Sequence, residues 1–421
     1  MPTTPEPQII RCHCLLPVSS PPIFDGGMVV ASGLIQDIGP WNHIRQLYTG
    51  THMDLGESVL MPGLINAHCH LEYTQMAGKL DPPASFTNWI RKMIDLKKSW
   101  SPGDFQLSWQ TGYNQSTASG TTTIADNLSQ PIQLSREQLS QGARLMALFE
   151  WIQLEGIPWI SEQHQDKGFL CQSTDLASGL ISGLAPHAPY TTTPILWRFI
   201  QEHPELSKRP ISVHLAESQE EMDLFQKHSG PMHDWFSSLG HLPNWGTGSP
   251  VQLLESKGAI RNGTIIIHAN GLDNSDLAIL AHHNIGIVHC PRSHHYFQHP
   301  PFQLEKCLNH HIPVALGTDS LASIRPDQHP QSLSMFHEMQ SLLKSFPTLR
   351  PQMAIEMTTL TAAKVLGLDS TIGSLAPGKQ ADWISLPCKG TERDLLEAII
   401  HTKTPPQKVV IGGKTMLEKQ I

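Results

Sequence analysis

The chain has 421 residues, a net charge of −8 with histidine neutral, and 16% charged residues beside 33 prolines and 31 glycines. That length suggests one to three domains with a large core, and an acidic balance without any Lys/Arg block argues against nucleic-acid backbone binding as the main function. Low charge with abundant proline and glycine fits a loop-rich, well-buried enzyme better than a coiled coil or a disordered chain.

The seven cysteines (Cys12, Cys14, Cys69, Cys171, Cys290, Cys307 and Cys388) are odd in number, scattered, and contain no C-x-x-C pair. This argues against a disulfide framework and a thiolate zinc site. The start, MPTTPEPQIIRCHCLL, lacks the basic beginning and apolar core of a signal peptide, and no apolar run is long enough to cross a bilayer. A reduced, soluble, cytoplasmic protein without a membrane partner is expected.

From about Ile9 to Leu60, short β-type runs alternate with turn signals, and the C-terminal IGSLAPGKQADWISL and KVVIGGKTMLE have the same texture. Neither end holds enough strands for a stable sheet alone. The expectation is one composite β-sandwich domain from residues 1–60 plus 368–421, with a larger domain, 61–367, between them. That middle part carries eight apolar strand-like runs, at 60–68, 121–126, 145–150, 179–186, 210–217, 264–270, 285–291 and 313–320. Between them, PILWRFIQEH, SDLAILAHHN and SLSMFHEMQSLLKSF show the 3.6-residue apolar recurrence of helices. Eight such alternations predict an α/β fold of the (β/α)8 TIM-type barrel class, although a doubly wound open sheet shares the periodicity.

The ionisable residues decide between the two. The first, fifth, sixth and eighth runs end in His68 and His70, His214, His268 and Asp319. In a barrel these carboxyl ends share one rim, where active sites are built. His68 and His70, two apart on a strand, point to one face. With His214 and Asp319 they supply three imidazoles and a carboxylate, a set suited to one divalent metal ion with a position left open for water. Zinc leads; iron and manganese accept the same donors. Separately, His214 also fits a core histidine satisfied by backbone groups, and Asp319 a helix N-cap.

Glu217, three residues after His214, is placed to carry protons between water and substrate; the alternative is a solvent-facing glutamate at a helix start. His268 has no place in a four-ligand shell and would assist from the rim, or simply meet solvent there. Asp319 would both bind the metal and accept a proton. Such a metal lowers the pKa of bound water towards about 7. Glu217 would protonate a ring nitrogen, hydroxide would attack the adjacent amino-bearing carbon, and ammonia would leave. An amidase would use the same parts.

The ordered motifs PGLINAHCHLE, GTTTIAD, APHAPYT, VHLAE, IIIHANGL, HCPRS and LGTDS, with the terminal IGSLAPGKQADWI, resemble the deaminase and chlorohydrolase branch of the amidohydrolase superfamily over nearly the whole chain. The resemblance implies a barrel with a composite β-sandwich, one metal held by His68, His70, His214 and Asp319, a shuttle at Glu217 and assistance from His268. The fourth run, LISGLAPHAP, lacks the lysine that bridges two metals in binuclear members. His187 resembles a substrate-contacting histidine of adenosine-type deaminases, or else it orders its own turn. Glu72 resembles an acidic residue of aminofutalosine deaminases; it would meet substrate, or support a ligand histidine. His294 stands where relatives often have asparagine, so contacts from that loop do not carry over.

SFTNWIRKMIDLKK (85–98) reads as a lid helix, with Trp89 covering a substrate ring or packing the helix, and segment 230–250 is a second rim candidate. The expected activity is hydrolytic deamination of an aminopurine nucleoside such as aminofutalosine, S-adenosylhomocysteine or adenosine. The alternative is deamination or dechlorination of another N-heterocycle (guanine, cytosine, triazine), and a third reading is a non-catalytic binding module. The partner is a small molecule rather than nucleic acid. Oligomeric state stays open, though members of that branch often form homodimers.

Overall fold

The computed structural model describes residues 6–135, 139, 142–157, 179–327, 329–388 and 394–418. Cys171 and the stretch 158–178 lie outside them; the other six cysteines are buried free thiols. No helix among the described residues is long and apolar enough to cross a membrane.

In chain order the strands are β1 (Gln8–Leu15), β2 (Ile23–Ala31), β3 (Leu34–Pro40), β4 (Thr51–Asp54) and β5 (Ser58–Pro62). Next come β6 (Leu64–Cys69), β7 (Thr121–Leu128), β8 (Arg144–Trp151), β9 (Leu180–Pro186), β10 (Ile211–Leu215), β11 (Thr264–His268), β12 (Gly286–His289) and β13 (Val314–Leu316). The last three are β14 (Trp383–Pro387), β15 (Lys408–Ile411) and β16 (Lys414–Glu418).

β6 to β13 form one parallel sheet in sequence order, the eight-stranded barrel that the alternating runs predict. Its strands are almost entirely buried, as strands covered on both faces must be. Side-chain and backbone bonds together stitch the seam between β13 and β6. Asn66 Nδ2 donates to Thr318 Oγ1 (2.8 Å), Thr318 N donates to Asn66 Oδ1 (3.0 Å), and Asp319 N donates to His68 O (3.1 Å). Gly317 lies at this seam because a Cβ there would stand 2.7 Å from His68 O and 2.9 Å from His68 Cβ.

The second sheet unites the chain ends in the order β16-β15-β14-β5-β1-β2-β3, with β4 beside β1. It is antiparallel except where β1 meets β4 and β5. The helix Trp41–Leu47 follows β3 and carries the chain back to run β4 in the direction of β1. Ile10, Cys12, Met28, Leu60, Trp383 and Val410 enclose a core of this sheet's own. A buried ion pair ties it to the barrel, Arg144 at the start of β8 donating to both oxygens of Asp382 (2.9 and 3.0 Å). Strands of this sheet come from residues 8–62 and 383–418, and we propose the two-domain division on that basis.

The first apolar run is two strands rather than one. β5 belongs to the terminal sheet and β6 to the barrel, and the chain changes sheet at Gly63, where a Cβ would collide with the Thr122 side chain at 2.2 Å.

Candidate active site

Alternation along β6 sets the direction of its histidines. Ile65 and Ala67 pack in one hydrophobic cluster with Ala362, Ala363 and Val365 of the helix Leu360–Val365. Asn66 and His68, and His70 just beyond the strand, therefore share the other face. Asp126, at the end of β7, fixes the turn that follows by accepting from Leu71 N (2.9 Å) and Trp109 Nε1 (2.7 Å).

His68, His70 and His214 converge, with one ring nitrogen of each lying within 4.8 Å of the others. Asp319 Oδ1 stands 3.7 Å from His68 Nε2 and 3.9 Å from His70 Nε2. Its Oδ2 accepts from Ser293 Oγ (2.6 Å) and Ser323 Oγ (3.2 Å), so the carboxylate is aimed rather than spent as a helix cap. His214 Nδ1 lies 3.0 Å from the His187 carbonyl. A carbonyl only accepts, so Nδ1 carries the proton and Nε2 keeps its lone pair for the cluster. Burial holds His70 well below the usual histidine range and His214 down to about 3. Both nitrogens of His68 and Nδ1 of His70 are buried with no protein hydrogen-bond partner. Buried, convergent imidazoles beside a carboxylate fit one divalent cation.

Glu217 is buried, not solvent-facing, because the following helix Gln219–Lys227 starts two residues later under a Ser218 cap. Its Oε1 lies 3.4 Å from His268 Nε2. Burial, with Asp319 and Glu221 nearby, holds the Glu217 carboxyl well above the usual carboxylate range, and burial keeps His268 neutral. Ala216, His268, Ala269 and Asp319, all at strand ends around the cluster, adopt left-handed backbone (φ +51°, +71°, +53° and +52°), a conformation costly for residues with a Cβ and concentrated at functional sites.

His70, His214, Glu217, His268 and Asp319 line a cavity of about 520 Å³, within the span of small-molecule sites. His187 lines it, its Nδ1 2.6 Å from Thr191 Oγ1, so it both orders its turn and faces the cavity. Trp89 also lines the wall while packing edge-on to Phe297 (5.0 Å). The segment 230–250 contains the helix Pro231–Leu239, which contributes Trp235, Phe236 and Leu239. His294 does not line the cavity: it lies 3.1 Å from Asn270 Oδ1, and Asn270 Nδ2 donates to Glu217 O (2.9 Å).

Glu72 needs correction as a substrate contact. Its carboxylate is fully buried outside the cavity lining and accepts from Ser129 N (3.0 Å), Ser129 Oγ (2.6 Å) and Gln130 N (3.1 Å). It does not hydrogen-bond a cluster histidine either; it fastens the loop after β7. A further carboxylate that lines the cavity, beside Glu217 and Asp319, is Glu150, 4.0 Å from His187 Nε2. Sequence reasoning passed over it, although it ends the third run as His214 ends the fifth.

A parallel barrel with imidazoles and an aspartate at its carboxyl rim defines the class of barrel hydrolases that activate water at a metal. The amidohydrolase family model matches residues 59–416. A 5-methylthioadenosine/S-adenosylhomocysteine deaminase of Saccharophagus degradans is 29% identical over 398 residues, 91% of this chain and 84% of the relative. Among solved structures, the aminofutalosine deaminase of Helicobacter pylori superposes with TM-score 0.81 at 19% identity, covering 97% of this chain and 99% of that one. A zinc-bound adenosine deaminase of Xanthomonas campestris gives 0.79 at 20%, covering 99% and 94%. The chain belongs to the amidohydrolase family, and it is a hydrolase acting on carbon–nitrogen bonds other than peptide bonds.

Proposed function

We propose that the chain is a metal-dependent hydrolytic deaminase of an aminopurine nucleoside, of the methylthioadenosine, S-adenosylhomocysteine or aminofutalosine kind. The observation that carries this reading is the convergence of His68, His70, His214 and Asp319 at the floor of a cavity that His70, His214 and Asp319 line together with a buried Glu217. The names of the relatives across nearly the full chain supply the substrate class.

His68, His70, His214 and Asp319 would hold the ion, which when bound supplies Lewis-acid activation of water. Zinc is the first choice, with iron or manganese accepted by the same donors. Glu217, kept protonated by burial, donates to the ring nitrogen beside the amino-bearing carbon, which makes that carbon electrophilic. Water adds its oxygen to the carbon, and Asp319 and Glu217 pass its protons onward. The amino group takes the second proton and leaves as ammonia, so one water is consumed per ammonia released. His268, 3.4 Å from Glu217, keeps that carboxyl turned to the reacting ring. His187 and Trp89 bind the base, and Glu150 replaces Glu72 as the acidic substrate contact.

The test is ammonia release by the zinc-loaded protein across adenosine, methylthioadenosine, S-adenosylhomocysteine, aminofutalosine, guanine, cytosine and triazines. Turnover of nucleosides is expected. Activity confined to free bases or triazines would instead support the second reading.

A further inference from the structure

We propose that Glu220 is a positioning residue that latches the helix Phe86–Lys98 over the cavity and, together with Glu221, ties that lid to the backbone of Glu217. The inference rests on the deaminase reading only for what Glu217 does; the latch itself is geometric.

The first turn of any helix leaves four N–H groups without intrahelical partners. In the lid helix, Ser85 Oγ satisfies one of them by accepting from Asn88 N (3.3 Å), and the Ser85 carbonyl takes the first regular helix bond from Trp89 N (3.1 Å). Two more go to a residue far along the chain. Glu220 Oε1 accepts from Phe86 N (3.0 Å), and its Oε2 accepts from Thr87 N (2.9 Å), Thr87 Oγ1 (2.5 Å) and Ser85 Oγ (3.2 Å). A carboxylate at this end also meets the positive pole of the helix. Because the site is partly open to solvent, water can replace Glu220 when the contact parts, so the contact can release and re-form.

Downstream, the same helix places Trp89, Ile90 and Met93 against the cavity. At its far end Lys97 Nζ donates to Tyr73 Oη (2.6 Å), and the Tyr73 ring stacks on His70 with centroids 5.4 Å apart. The lid is therefore pinned at both ends to groups that adjoin the candidate metal cluster.

Glu221, the next residue after Glu220, reaches the opposite way. Its carboxylate accepts from Ala216 N (3.2 Å) and Glu217 N (2.8 Å), holding the chain where Ala216 is left-handed. Consecutive carboxylates on one helical turn thus grip the lid and the Glu217 loop. Glu221 keeps the Glu217 turn in place when the Glu220 contacts part, so opening the lid changes access to the cavity rather than the setting of Glu217.

Amide hydrogen exchange and steady-state kinetics on the full-length, metal-loaded protein test this with Glu220→Ala and Glu220→Gln. In Glu220→Ala, amides of residues 86–90 should exchange about tenfold faster while the barrel strands keep their protection, and KM should rise about tenfold with kcat changed less than about twofold. Glu220→Gln, which retains one acceptor oxygen, should fall between it and the wild type. Unchanged exchange at 86–90, faster exchange throughout the chain, or a loss of kcat at constant KM would each overturn the latch. Should the wild-type protein deaminate no nucleoside, the functional reading fails, and the exchange pattern still decides the latch separately.

Discussion

Glu217 is the residue on which the proposed chemistry turns, because it is the buried carboxyl within reach of both His268 and the cavity. Glu217→Gln preserves shape and the four metal donors but removes the transferable proton. Turnover should fall on the order of 10²–10⁴-fold with metal content unchanged, measured by ammonia release and elemental analysis of the same preparation. Glu72 makes the opposite case. Its acceptors serve Ser129 and Gln130, so Glu72→Gln turns an amide donor toward one of these half-buried N–H groups and should cost about 1 kcal/mol of stability. Denaturant unfolding should register that loss while KM stays near wild type; a large rise in KM at unchanged stability would return Glu72 to the substrate. His68, His214 and Asp319 were legible in the sequence because each closes an apolar run, where a strand presents its end to the rim. The Glu72 expectation rests on a resemblance rather than on alternation, and the 3₁₀ helix Leu71–Met76 directs its carboxylate to Ser129 instead. Glu150 carried the same signal as His214 and was overlooked.

Among the elements, the barrel runs and the helices Pro194–Glu202, Asn274–His282 and Met335–Ser345 follow the periodicities that predict them. Boundaries set by contacts far apart in sequence do not show in a local pattern. The apolar run 60–68 reads as one strand, yet Gly63 divides it because Thr122 occupies the space a Cβ would need. Within the rim candidate 230–250, Pro231 starts a nine-residue helix as an N1 proline can. Gly317 is the clearest handle at this scale. Gly317→Ala forces the new methyl against the His68 backbone at the barrel seam, at a cost of about 1–3 kcal/mol for overpacking. Melting temperature and metal retention should both fall in this variant; an unchanged metal content would detach the seam from the cluster.

For the whole molecule, the two ends of the chain complete one sheet, and the barrel lies between them in sequence. Repeated texture at the termini made that union legible, but the parallel pairing of β1 with β4 and β5 did not follow from it, because strand direction depends on the helix Trp41–Leu47 that turns the chain back. Closure of the barrel was inferred from where ionisable residues fall, and it is made by side chains such as Asn66 and Thr318 that no periodicity marks. Arg144 and Asp382 join the two sheets out of solvent. Arg144→Met strands the aspartate and should cost about 3–5 kcal/mol, read as an earlier denaturant midpoint. The central claim is that this architecture exchanges an amino group for a solvent oxygen on an intact nucleoside. Mass spectrometry of the product formed from S-adenosylhomocysteine or aminofutalosine in isotopically labelled water tests it most directly. One solvent oxygen on the base carbon that lost its amino group, in an intact nucleoside and matched by one ammonia, is the expected result; cleavage to a free base, or ammonia release without label on that carbon, would contradict it.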